Sequence, residues 1–180
     1  MRPKITLIMV TTADGVIAND EHADSFTWNS AEDKKHFREL SRQIGTVILG
    51  STTFRAAGGA SLKDRLNIVL TSQPDRFDKH ENAIFMKGTP QDVIAVLMER
   101  GITHAALIGG ANVNRQFLEA GLVDELVLTL EPRLFGSGLR ISDGSSFDIP
   151  MQLTAMEQLN DRGTLLLTYT LHTTNDTQQS

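Results

Sequence analysis

The residues best placed to do chemistry lie between Trp28 and Ile44, in the stretch WNSAEDKKHFRELSRQI. It reads as a capped helix with a carboxylate on its apolar face. Ser30 can cap the helix, and Asp33 falls three residues later, where an acid favours the unpaired amides and the helix dipole. Helical spacing from Asp33 gives Phe37, Leu40 and Ile44, whereas Lys34, Lys35, Arg38, Glu39 and Arg42 take the other faces. Asp33 thus points along the stripe expected to be buried, where it is either first-turn charge or an acid-base group of a site. Two strand-glycine-helix turns, VILGSTTF and LIGGANVN, leave backbone amides able to receive a phosphate, although any strand-to-helix turn uses the same residues. Thr129, inside LVLTL, is either an ordinary β former or a polar group set into a site.

Composition narrows what such residues could serve. A chain of 180 residues, 40% hydrophobic and 22% charged, can bury one substantial core and is short for two domains. We therefore expect one domain over 1–172. The net charge of -5, with scattered lysines and arginines, gives no basic field for nucleic acid. Without cysteine there is no disulfide framework or thiolate nucleophile, and the five histidines lack metal-ligand spacing. MRPKITLIMV is too short an apolar run for a signal peptide, and no run approaches membrane-spanning length. The expectation is a soluble, cytoplasmic protein that handles a small molecule.

The elements that must position these residues follow in order. KITLIMVT (4–11) is a β-branched apolar run, as expected of a central strand, and a long loop carries the chain to the capped helix. Strand 46–50 stops at Gly50 before a helix, and strands 65–71 and 83–86 follow. Thr89-Pro90 opens the next helix as N-cap and first position, with Val93, Ile94, Leu97 and Met98 inward and Gly101 as its stop. Strand 104–109 enters the second glycine turn and a helix bearing Val113, Phe117 and Leu118. Then come strand ELVLTLEP, a turn-rich loop to Pro150, and strands near 151–159 and 164–172 joined through Asp161-Arg162-Gly163. The β-α-β-α order predicts an α/β fold: a mostly parallel central sheet, antiparallel C-terminal strands, flanking helices, and a ligand crevice beyond the strands' carboxyl ends. Residues 173–180 are expected to be a disordered tail.

From about Ile5 to Leu171, the succession WNSAEDKKHFR, VILGSTTF, LKDRLNIVLTSQP, LIGGANVNRQFL and LVLT resembles the dihydrofolate reductase superfamily. The resemblance implies its three-layer fold and an NADPH-dependent oxidoreductase. By that resemblance Asp33 is the active-site acid, Thr129 the strand threonine that bonds it, and Trp28 the anchor of the loop over the substrate. Phe37 and Val10 would pack on the substrate, and Arg65 would grip the glutamate carboxylate of folate. Gly50, Ser51, Thr52 and Thr53, then Thr71 and Ser72, then the Gly109-Gly110 turn with Ala111, Asn112 and Val113, would hold NADPH. The family often has a basic residue where Ser51 stands, so a modest NADPH preference is implied.

The second half is similar to a sister branch, the riboflavin-pathway reductases with a RibD C-terminal domain, which act on a ribosylaminopyrimidine. GGANVNRQFLEAGLVDEL, EPRLFGSG and ISDG carry that likeness, as does TTADGVIA. Asn114 stands where many folate reductases have a tyrosine against the nicotinamide. Reduction of dihydrofolate to tetrahydrofolate is the leading reading, because Trp28, Asp33, Phe37, Arg65 and Thr129 would meet that substrate; the alternative is the riboflavin-pathway pyrimidine. A protein that keeps the fold without the chemistry ranks last, since a carboxylate on an apolar face is costly unless paired or used. A monomer or a homodimer is expected.

Overall fold

In the computed structural model, residues 1–18, 27–142, 144 and 147–172 are described. The expected tail 173–180 and residues 19–26 of the expected long loop lie outside them. The chain forms β1 (Lys4–Thr12), β2 (Val16–Ala18), α1 (Ala31–Ile44), β3 (Thr46–Gly50), α2 (Ser51–Ala56), β4 (Leu66–Leu70) and β5 (Ala83–Met86). It continues with α3 (Pro90–Glu99), β6 (His104–Leu107), α4 (Ala111–Glu119), β7 (Glu125–Glu131), β8 (Leu139–Arg140), β9 (Met151–Gln158) and β10 (Leu165–Leu171).

One sheet runs β5-β4-β3-β6-β1-β7-β10-β9. The first six strands are parallel, and β10 and β9 add antiparallel. Strand periodicity builds the three layers. Ile5, Leu7, Ile48, Ile68 and Leu70 pack in one cluster with Val93 and Leu97 of α3 and Phe117 of α4. Their neighbours Ile8, Val47, Leu49 and Val69 pack in another, with Phe37 and Leu40 of α1 and Phe54 of α2. Because both faces are covered, the parallel strands read as continuous apolar runs rather than alternating ones.

Two details differ from the sequence expectation. Met98 is 53% exposed, because Val93, Ile94 and Leu97 already fill the inner face of α3. The two expected loops are not wholly irregular: β2 pairs antiparallel with β8, each too short to declare itself alone. Every residue of β9 is exposed, so the sheet ends on an open edge.

Asp14 ties the two loops together. Its carboxylate accepts from the Thr12 hydroxyl and from the amides of Gly136 (2.7 Å) and Phe135 (3.2 Å). Those bonds, Thr12 first, hold its pKa at about 2 instead of 3.8. A depressed carboxyl contributes stability above its unfolded value that is lost as pH falls through the folded one. Asp14→Asn should therefore lower the melting temperature at neutral pH, and the gap to the parent should close as pH falls from 3.8 through about 2, followed by thermal melts across that range.

Candidate active site

Two connected hollows lie at the carboxyl ends of the parallel strands, where an open α/β sheet places its ligand crevice. The first, a cavity of about 160 Å³, is walled by Val10 of β1, Ile17 and Ala18 of β2, Asp33 and Phe37 of α1, Leu49 of β3 and Phe54 of α2, with Asn29 and Asn67. The second, a trough of about 580 Å³, runs over Gly50, Ser51, Thr52, Thr71, Ser72, Asn112 and Val113. Thr53, Gly110, Ala111 and Leu139 border both, so two ligands held there would touch.

Asp33 is 5% exposed. Its backbone N–H donates to Ser30 Oγ at 3.2 Å, so the expected cap is present, and its carboxylate accepts from the Asn29 side chain and from Thr129. Burial pushes its pKa up; the Thr129 and Asn29 bonds pull the other way, the negative charge of Glu131 adds to the rise, and His36 opposes it. A buried carboxyl biased toward its protonated form is suited to hold and deliver a proton. Thr129 reaches Asp33 from β7 and Phe37 lies one helical turn on, so the apolar stripe and the strand threonine converge on one carboxyl.

The trough is built by two turns that press against each other. The Gly50 amide donates to Gly109 O at 2.8 Å. A Cβ at Gly50 would stand 2.9 Å from Val113 Cγ2, and a Cβ at Gly110 would stand 2.9 Å from Thr53 Oγ1. Each glycine thus lies against the third residue of the other turn's helix, and the peptide between Gly109 and Gly110 is cis. Neither α2 nor α4 has a side-chain cap, which leaves first-turn amides for an anion. This cradle fits a pyrophosphate-bearing dinucleotide, and Thr71, Ser72 and the cationic Lys87 and Arg115 border its length.

Among the expected site residues, Val10, Asp33 and Phe37 line the cavity, and Gly50 through Thr53, Thr71, Ser72 and Gly110 through Val113 line the trough. Gly109 lines the cavity. Trp28 does not line either hollow; it packs edge-on against Phe135, 5.2 Å between ring centroids, and its carbonyl accepts from Arg133. Arg65 lines neither hollow; it is buried, its Nη1 donating to Ser41 Oγ at 2.6 Å and its Nε to Lys63 O at 3.0 Å. Sequence reasoning missed Asn29, Lys87, Arg115 and Glu131. Only Glu131 left a signal, a charge two residues past Thr129 and therefore on the same strand face.

Among the described residues no group of three or more His, Cys, Asp or Glu could hold a metal, and no described helix is long and apolar enough to cross a membrane.

Solved structures share this fold. A pyrimidine reductase-like protein of Corynebacterium diphtheriae superposes with a TM-score of 0.77 at 16% identity, covering 95% of this chain and 92% of the other. A Thermotoga maritima diaminohydroxyphosphoribosylaminopyrimidine deaminase/5-amino-6-(5-phosphoribosylamino)uracil reductase gives 0.76 at 21%, covering 95% of this chain and 57% of that one. Dihydrofolate reductase of Enterococcus faecalis, complexed with NADP(H), gives 0.69 at 24%, covering 94% and 97%. These likenesses establish the dihydrofolate reductase-like fold. Residues 3–165 match the RibD C-terminal domain. The chain belongs to the RibD C-terminal domain family of NADPH-dependent oxidoreductases.

Proposed function

We propose that this protein reduces a phosphoribosylaminopyrimidine with NADPH, the 5-amino-6-(5-phosphoribosylamino)uracil of the riboflavin pathway, in preference to dihydrofolate. The observation that carries the substrate is the match to the RibD C-terminal domain over 3–165. The geometry supports the same choice, because the folate reading needs Arg65 at the substrate, and Arg65 lines neither hollow, its Nη1 and Nε donating to Ser41 and the Lys63 carbonyl. The order of the two substrates expected from sequence is thereby reversed.

When bound, NADPH supplies a hydride from its nicotinamide ring. The chain's residues bind, orient and protonate. Gly50 through Thr53 and Gly110 through Val113 would cradle the pyrophosphate, and Thr71, Ser72 and Lys87 would meet the 2′-phosphate. The ring-opened substrate carries a C=N bond; its reduction adds the hydride to the sugar carbon and a proton to the nitrogen. Asp33 is the cavity side chain able to hold that proton, while Val10, Phe37 and Phe54 exclude water around it.

Side-by-side NADPH oxidation tests the substrate. The ribosylaminopyrimidine should exceed dihydrofolate in kcat/KM by roughly a hundredfold, about 2.8 kcal/mol; the opposite order would restore the folate reading. Asp33→Asn should lower kcat by about 10² to 10⁴. Because the folded-state pKa of Asp33 is raised, its ionised form opposes folding above that pKa, so the variant should melt at an equal or higher temperature at neutral pH. A lower melting temperature with unchanged kcat would make Asp33 a helix-terminus charge only. NADPH should bind roughly tenfold to a hundredfold tighter than NADH. Lys87→Met should remove about tenfold of that margin and leave NADH affinity unchanged, measured by fluorescence titration of both cofactors.

A further inference from the structure

A second buried carboxylate stands behind the first. Glu131, at the end of β7, is 4% exposed. Its Oε1 accepts from the Ser30 amide at 2.7 Å and its Oε2 from the Thr164 hydroxyl at 2.8 Å. Thr164 Oγ in turn accepts from Asn160 Nδ2 at 3.0 Å, which directs its hydrogen to Glu131. Both oxygens of Glu131 therefore act as acceptors, the pattern of an ionised carboxylate. Ser30 is the residue whose Oγ caps α1 at the Asp33 amide, so Glu131 holds the cap and Asp33 lies one hydrogen bond farther on.

We propose that Glu131 is the positioning residue of this site: it pins the cap of α1 to β7, and its fixed negative charge opposes that of Asp33, so that Asp33 serves as the proton donor. This rests on the reading of Asp33 as the acid of a reductase. Thr129, Glu131 and Arg133, spaced two apart, reach Asp33, Ser30 N and Trp28 O in succession, so three alternate residues leading out of β7 fix three points of the 28–33 segment. The groups acting on Asp33 are Thr129 and Glu131 from β7, Asn29 from the preceding segment and His36 from its own helix. Glu32, beside it, turns outward to Asn160 and Arg162 of the β9–β10 connection. Among the charges on Asp33, Glu131 alone favours its protonated form and His36 disfavours it.

Glu131→Gln keeps the shape and an acceptor for Ser30 N but removes the charge. An acid needed in its protonated form loses activity as pH rises through its pKa. The alkaline midpoint of the kcat profile should therefore move to lower pH in Glu131→Gln, with rate lost above the midpoint and full rate kept well below it. Glu131→Asp, which keeps the charge, should retain the parent midpoint even where it weakens the cap. Titration of the Asp33 carboxyl by ¹³C NMR in the free protein, with Asp33→Asn identifying the resonance, reads the same shift without substrate and so stands if the substrate assignment fails. Glu131→Ala provides a second charge-free variant if the glutamine form is unstable. A midpoint that stays at the parent value in a folded charge-free variant, with any loss of rate uniform across pH, would overturn the proposal and leave Glu131 a structural tie.

Discussion

A carboxyl taken out of water has to be held, and the holding of Asp33 organises this end of the molecule. Its helix must begin at one residue, its cap must be fixed, and the strand beside it must present polar groups on the face that meets the cap. β7 meets the last requirement by alternation: Leu126 and Leu128 pack on one face, while Val127, Thr129 and Glu131 share the other, where the last two turn hydrogen-bonding groups toward the start of α1. The desolvation cost of the two acids is offset by donors that come from backbone, hydroxyl and side-chain amide groups rather than from cations, which leaves Asp33 responsive to protons.

Most of the local architecture was legible from the chain. The cap at Ser30, the apolar stripe after Asp33, the start of α3 at Thr89-Pro90, and both glycine turns follow from spacing within a few residues. What remained hidden depends on pairing distant segments. β2 and β8 are three and two residues long and form a sheet only with each other, more than a hundred positions apart. Lys87 follows a short strand, and nothing near it in sequence shows that it will border the same trough as Ser72 and Asn112. Arg65 shows the converse: its motif resembles a ligand-gripping one, yet it lines neither hollow and its Nη1 donates to Ser41, a helix residue that no local pattern ties to it.

The family and the site constrain function from opposite sides. The RibD C-terminal match covers the whole span that builds both hollows, whereas the likeness to dihydrofolate reductase resides in the fold. Fold alone hosts many chemistries, so the substrate has to be argued from the groups that would touch it. Among the described residues, those in the cavity are one titratable acid, two asparagine amides, the Thr53 hydroxyl and a largely apolar wall. Such a lining suits a flat heterocycle recognised along one polar edge.

The mutual contact of the two glycine turns has a consequence for how the sequence can drift. Position 50 lies against position 113, and position 110 against position 53, with no room for a Cβ at either glycine unless the opposing side chain gives way. These four positions are two steric couples rather than four independent sites. A side chain could enter at 50 only as the residue at 113 shrinks, and at 110 only as the residue at 53 does. Relatives of this chain should therefore vary at those positions in compensating pairs, and a designer who wished to reshape the trough would have to exchange both members of a couple in one step.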